Sequence, residues 1–89
     1  MPIRVLVVDD HVLIREGLRR ALARHTQISI VGEAASKAEA LAQIAHHNPE
    51  VIVVDLHLPD GNGLEVIAWA RSLSQKIGIV ALTASRLSE

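Results

Sequence analysis

Residues 51–66 read VIVVDLHLPDGNGLEV. The four β-branched residues at 51–54 fit a strand buried on both faces, as the strands of a parallel sheet are. Asp55 closes that run. The loop LHLPDGNG at 56–63 contains Pro59, Gly61 and Gly63, residue types that punctuate turns. Helical spacing then predicts a helix over about 63–73.

The same alternation runs outward in both directions. Residues 3–8 (IRVLVV) predict a first strand ending in the pair Asp9-Asp10. Residues 11–25 have helical spacing, with Ile14, Leu18, Ala21 and Leu22 on one face and Arg15, Arg19, Arg20 and Arg24 elsewhere. A second strand is expected at 28–34. Ser36 and Glu39 then have the form of a capping box, opening a helix with Ala38, Leu41, Ala42 and Ala45 inward. Asn48-Pro49 stops it, because the residue before a proline avoids the helical region. Downstream, residues 77–82 (IGIVAL) predict a fourth strand, and the apolar run at 79–82 is expected to be buried on both faces. Thr83-Ala84-Ser85 follows, and residues 86–89 fit the first turn of another helix. Strands alternating with helices predict an α/β fold, a doubly wound parallel sheet with right-handed crossovers and helices on both sides.

Length and composition bound what such a sheet can be. Eighty-nine residues make one small domain, taken as 1–89, with a thin core. Trp69 is the single aromatic residue, so Val, Ile, Leu and Ala must build that core. With no cysteine, disulfides and thiolate zinc sites are excluded. A formal net charge of −1 does not favour direct contact with nucleic acid, which wants a basic surplus. No apolar run is long enough to span a bilayer and no secretion signal opens the chain, so a cytoplasmic location and no membrane partner are expected.

In open α/β sheets the functional site lies beyond the carboxyl ends of the strands. Those ends hold Asp9 and Asp10, Asp55, and Thr83. With strands one and three adjacent, the three carboxylates converge and repel unless a cation sits among them. Hard oxygen donors suit Mg²⁺. A carboxylate beside such an ion can act as a nucleophile and form an aspartyl-phosphate, with the Thr83 hydroxyl placed to bond a phosphoryl oxygen. Each Asp alone is equally well read as a helix cap or a turn residue. Together, three acids and a hydroxyl at neighbouring strand ends argue for a site.

The remaining conspicuous residues have plainer readings. His46 and His47 end the second helix, where positive side chains suit the helix dipole, and His25 ends the first. His11 is expected to line the acidic crevice, the His57 side chain to be solvent-exposed, and Trp69 to be partly exposed. The arginines of the first helix are read as a solvated face that at most docks a partner.

VVDD at 7–10, VIVVDLHLPDGNGLEV at 51–66 and ALTAS at 81–85 together resemble the receiver domain of bacterial two-component response regulators. The opening VVDDHVLIREGLRRAL and GEAAS at 32–36 resemble the branch that carries a C-terminal LuxR-type helix-turn-helix DNA-binding domain. The resemblance implies a flavodoxin-like strand order of 2-1-3-4, with a fifth strand to follow. It implies Asp55 as the phosphoacceptor. Asp9, Asp10, Asp55 and the backbone carbonyl of His57 become the Mg²⁺ ligands. Thr83 becomes the switch hydroxyl, Ala84 the small residue beside it, and Pro59 and Gly63 parts of the loop after the phosphoacceptor. The implied partner is a sensor histidine kinase, whose phosphohistidine donates the phosphoryl group to control a DNA-binding output domain. Such domains are not enzymes beyond their own phosphorylation and dephosphorylation.

The family pattern continues into a fifth strand ending in Lys-Pro, a switch aromatic and two more helices. The chain is therefore expected to be a C-terminally incomplete receiver. Lys37 and Lys76 are its only lysines, and neither follows a strand where the phosphate-pairing Lys belongs. Phosphorylation is expected to be slow or unstable. Strand four is expected to form an apolar sheet edge that drives homodimerisation, element exchange or aggregation. A non-switching module that dimerises or engages a kinase is one alternative, which phosphotransfer to Asp55 would count against. An Asp-nucleophile phosphatase is another, but it needs an Asp two residues after the nucleophile, where this chain has His57.

Overall fold

The computed structural model describes residues 1–82, so Thr83, Ala84 and the helical turn expected at 86–89 lie outside the described residues. Strand β1 (Ile3–Val8) is followed by helix α1 (Val12–Ala23), β2 (Ile28–Ala34), α2 (Lys37–His47) and β3 (Val51–Asp55). Two short strands, β4 (His57–Leu58) and β5 (Gly61–Asn62), precede α3 (Gly63–Leu73) and β6 (Gly78–Leu82). The four long strands form one parallel sheet in the order β2-β1-β3-β6, the 2-1-3-4 order implied by the resemblance. What reads as plain loop at 56–63 contains a small antiparallel ladder, His57 against Asn62 and Leu58 against Gly61.

Period-two alternation divides the core between the two faces of the sheet. Leu6, Val8, Ile52 and Val54 point to one side and pack with Ala40 and Ile44 of α2 and Val66 and Ala70 of α3. Val5, Val7 and Val53 point to the other side, where Leu18 of α1 packs on them together with Ile28, Ile30 and Leu82. The central strands β1 and β3 are thus buried on both faces, as their apolar runs require. Strand β6 is not: Val80 and Ala81 are exposed, because β6 lies at the edge of the sheet among the described residues.

Two helix faces differ from those expected. In α2 the inward residues are Ala40 and Ile44, with Leu41 half-buried, while Ala38, Ala42 and Ala45 are exposed. Alanines fall on every side of this helix, so its two large apolar residues, the buried Ile44 and the half-buried Leu41, decide which face is buried. In α1 no residue is fully buried. Leu18 and Leu22 are half-buried, but Ile14 and Ala21 are exposed. The helix is turned so that Arg15 and Arg19, one turn apart, reach Glu33 of β2. Arg19 Nε donates to Glu33 Oε2 at 2.8 Å and Arg15 Nε to Oε1 at 3.3 Å. These two arginines fasten α1 to the sheet rather than forming a purely solvated face. Trp69 is partly exposed, as read.

The start of α2 ties the sheet to the loop after β3. Ser36 Oγ accepts the Glu39 amide at 3.1 Å, one half of the expected capping box. The Glu39 carboxylate reaches past Ser36 to the Ala35 amide at 2.8 Å. The Lys37 and Ala38 amides donate to the Asp60 carboxylate at 2.6 and 3.0 Å, so the loop itself supplies a second cap. Lys37 Nζ adds a 3.0 Å contact to Glu65 at the start of α3. At the other end of α2, Asn48 takes the left-handed conformation (φ 49°, ψ 58°) that closes many helices, and Pro49 follows.

Two predictions follow from this packing. Ile44→Ala should destabilise the fold by about 2–5 kcal/mol in urea denaturation, whereas Ala42→Ser on the exposed face should stay within about 0.5 kcal/mol. The amides of Lys37 and then Ala38 hold the Asp60 carboxyl below the ordinary carboxylate range. A depressed folded-state value means the clamp is fully present above the ordinary Asp pKa of about 3.9. It is lost as pH falls through the lower folded-state value. Hydrogen exchange at Lys37 and Ala38, corrected for intrinsic rates, should lose protection along that acid limb. Asp60→Asn should remove the pH step, and an unchanged profile would contradict the clamp.

Candidate functional site

The register of the central strands builds the site. Val8 of β1 pairs with Val54 of β3, so the next residues, Asp9 and Asp55, come side by side at the carboxyl ends. Both are buried, at 3% and 7% exposure, while Asp10 is exposed at the rim. Asp9 is fixed from the other side by its amide, which donates to the Ala34 carbonyl of β2 at 2.9 Å. Single ligand atoms of Asp9, Asp10, Asp55 and His11 all lie within 4.8 Å of one another.

Both strand ends turn in the same way. Asp9 Oδ1 accepts the His11 amide at 2.8 Å, and Asp55 Oδ1 accepts the His57 amide at 2.9 Å. Each is a carboxylate bonded to the backbone two residues on. The turn reading of these residues therefore holds for one oxygen of each, and the convergence reading holds for the group. Neither Asp9 nor Asp10 is the cap of α1. That position is His11, whose side chain makes no cap bond.

His11 lines the crevice, as expected, and does more than that. Its Nδ1 lies 2.7 Å from Asp9 Oδ1, 3.3 Å from Asp10 Oδ1 and 3.8 Å from Asp55 Oδ2. The hydrogen bond to Asp9 first, then the charge of Asp10, the charge of Asp9 and, least, that of Asp55 raise its pKa and favour the imidazolium. The sequence signal was a histidine directly after an acidic pair. Only the turn of the chain into α1 shows that the ring folds back over all three acids.

The loop after Asp55 is shaped by Gly63. A Cβ there would stand 2.5 Å from the Asp55 carbonyl oxygen and 2.9 Å from the Leu56 Cα, so α3 can begin this close to Asp55 only with glycine. The Gly63 amide donates to the Leu56 carbonyl at 3.0 Å. Leu58 is buried and anchors the loop, while Pro59 and the His57 side chain are exposed. The lysines lie elsewhere: Lys37 pairs with Glu65, and Lys76 precedes β6 at the opposite end of the sheet.

Three acids at these strand ends and a glycine-tightened loop match a known architecture. Residues 5–89 match the model of the response regulator receiver domain family. Over 64 residues, covering 72% of the chain and 30% of the relative, the sequence is 45% identical to the DNA-binding transcriptional activator DevR/DosR of Mycobacterium tuberculosis. A LuxR-family two-component response regulator from Aurantimonas superposes with a TM-score of 0.83 at 33% identity, over 91% of this chain and 58% of that one. The signal receiver domain of NarL from Mycobacterium tuberculosis superposes with a TM-score of 0.77 at 39% identity, over 90% of this chain and 63% of that one. The chain spans less than half the length of the curated relatives it matches. Among the described residues no helix is long and apolar enough to cross a membrane. The chain belongs to the response regulator receiver domain family, and its relatives are two-component regulators of the NarL/LuxR type.

Proposed function

We propose that this receiver domain acts in the cytoplasm and takes a phosphoryl group onto Asp55 from the phosphohistidine of a sensor histidine kinase. The observation that carries the reading is the side-by-side placement of Asp9 and Asp55, with Asp10 at the rim. An Asp55 carboxylate oxygen attacks phosphorus, a P–O bond forms, the donor P–N bond breaks, and the donor imidazole leaves with the electron pair. The oxygen Oδ1 is oriented by the His57 amide, which leaves Oδ2 directed toward the shared crevice.

The donor set fits Mg²⁺: carboxylates of Asp9, Asp10 and Asp55, with the His57 carbonyl offered by the adjacent loop. When bound, the ion offsets the charge of the three acids and of the incoming phosphoryl oxygens. The chain itself holds the nucleophile at a fixed strand end, closes the loop through Gly63 and Asp60, and buries Asp55 away from bulk water. Thr83 and Ala84, proposed to contact the phosphoryl group, belong to the same reading. Its output is control of transcription through a DNA-binding domain of the parent regulator. The exposed apolar edge of β6, at Val80 and Ala81, supports self-association as a further property.

Incubation with a small acyl phosphate and Mg²⁺ should yield a base-labile phosphoryl adduct by intact-mass spectrometry, mapped to Asp55. Asp55→Asn should abolish it and Asp10→Asn should slow it at least roughly tenfold, as expected for loss of a charge-offsetting ligand. An adduct that persists in Asp55→Asn would refute the assignment.

A further inference from the structure

The ring of His11 occupies the meeting point of the carboxylates. Nδ1 is within 3.8 Å of an oxygen from each of Asp9, Asp10 and Asp55. Among the described residues, no lysine or arginine side chain pairs with these three carboxylates; Arg15 Nη1 donates to the Asp9 backbone carbonyl at 2.6 Å instead. A divalent ion held by the same carboxylates needs its oxygens at about 2.0–2.1 Å and prefers oxygen donors to imidazole when it is Mg²⁺. Ring and ion therefore call on the same atoms.

We infer that His11 is a built-in competitor for the cation: its imidazole sits on the three carboxylates when the ion is absent and swings out when Mg²⁺ enters. The inference rests on the Mg²⁺ reading above and adds a residue that reading does not use. Three observations support a movable ring. The side chain is 61% exposed, so a path to solvent is open. It forms no cap bond for α1, so its departure leaves the helix start unchanged. The backbone turn is held separately, by the His11 amide on Asp9 Oδ1. Swinging out therefore gives up only the ring's own contacts with the acids. The expected consequence is that His11 lowers Mg²⁺ affinity relative to a residue too short to reach the crevice.

The test is an Mg²⁺ titration of the chain at one fixed pH, followed by amide NMR shifts of Asp10 and His57, with the His11 ring resonances observed in parallel. His11→Ala and His11→Ser should each bind Mg²⁺ roughly threefold to tenfold more tightly than the parent chain, the range set by loss of a hydrogen bond to a charged group. Thermal melts establish that both variants fold. In the parent chain the His11 ring resonances should move toward those of a free imidazole as Mg²⁺ is added. Equal affinity in parent and variants would overturn the inference. So would weaker binding in the variants, which would make the imidazole a ligand. Absence of Mg²⁺ binding in all three proteins would instead overturn the Mg²⁺ reading on which the inference stands.

Discussion

Mutual repulsion among three carboxylates is the constraint around which the site end of this domain is organised. Two like charges about 4 Å apart repel by about 4 kcal/mol at the effective dielectric of a protein surface, against about 1 kcal/mol in bulk water. A small domain has only about 5–15 kcal/mol of total stability. The parallel register of β1 and β3 nevertheless places Asp9 beside Asp55, and the chain turns Asp10 to the same rim. Within the chain the burden is met in two ways: one oxygen each of Asp9 and Asp55 accepts a backbone amide, and the His11 ring contacts all three acids; the proposed Mg²⁺ would be a third.

Holding such a cluster requires a stiff frame, and the frame is unequal on the two sides of the sheet. On the α2 and α3 side lie the fully buried Leu6, Val8, Ile44, Ile52, Val54 and Val66. That side also carries the Asp60 clamp and the close approach of Gly63 to Asp55. The α1 side has three buried valines and a helix held largely by half-buried leucines and the Arg15 and Arg19 contacts with Glu33. Those two guanidiniums keep the Glu33 carboxyl below its ordinary range, Arg19 contributing most. The loop after Asp55 is therefore anchored on the better packed side, while His11 and the start of α1 belong to the looser one.

The sheet was legible because its signals are redundant. Continuous β-branched runs and helices of regular spacing predicted a doubly wound parallel sheet, its strand order came from the family resemblance, and the acids at two strand ends pointed to the crevice where Asp9, Asp10 and Asp55 meet. Helix faces were less legible. In α2, alanines on every side made four positions look inward, and Ile44 with Leu41 settled the matter. In α1, long-range pairing with Glu33 overrode the apolar pattern and left Ile14 and Ala21 exposed. The 79–82 run looked like a strand buried on both faces because apolarity alone cannot tell an edge from a centre, and only the family resemblance led to the expectation of an edge. The Asp60 clamp and the fold-back of His11 were invisible for a related reason. Each joins residues whose meeting depends on how a loop closes, and no local periodicity encodes that.

The most direct measurement of the central claim is the melting temperature of the chain and of Asp10→Asn, with and without Mg²⁺. Asp10 is the acid to neutralise, because among the described residues no backbone amide turn depends on its carboxylate as on those of Asp9 and Asp55. Repulsion relieved by a bound cation predicts that metal-free Asp10→Asn melts above the metal-free parent chain. It also predicts that saturating Mg²⁺ raises the parent's melting temperature, with about 2.7 kcal/mol of stabilisation at a hundredfold excess over the dissociation constant. The variant should show little of that rise. A parent chain whose melting temperature ignores Mg²⁺, or a metal-free variant less stable than the parent, would contradict the account.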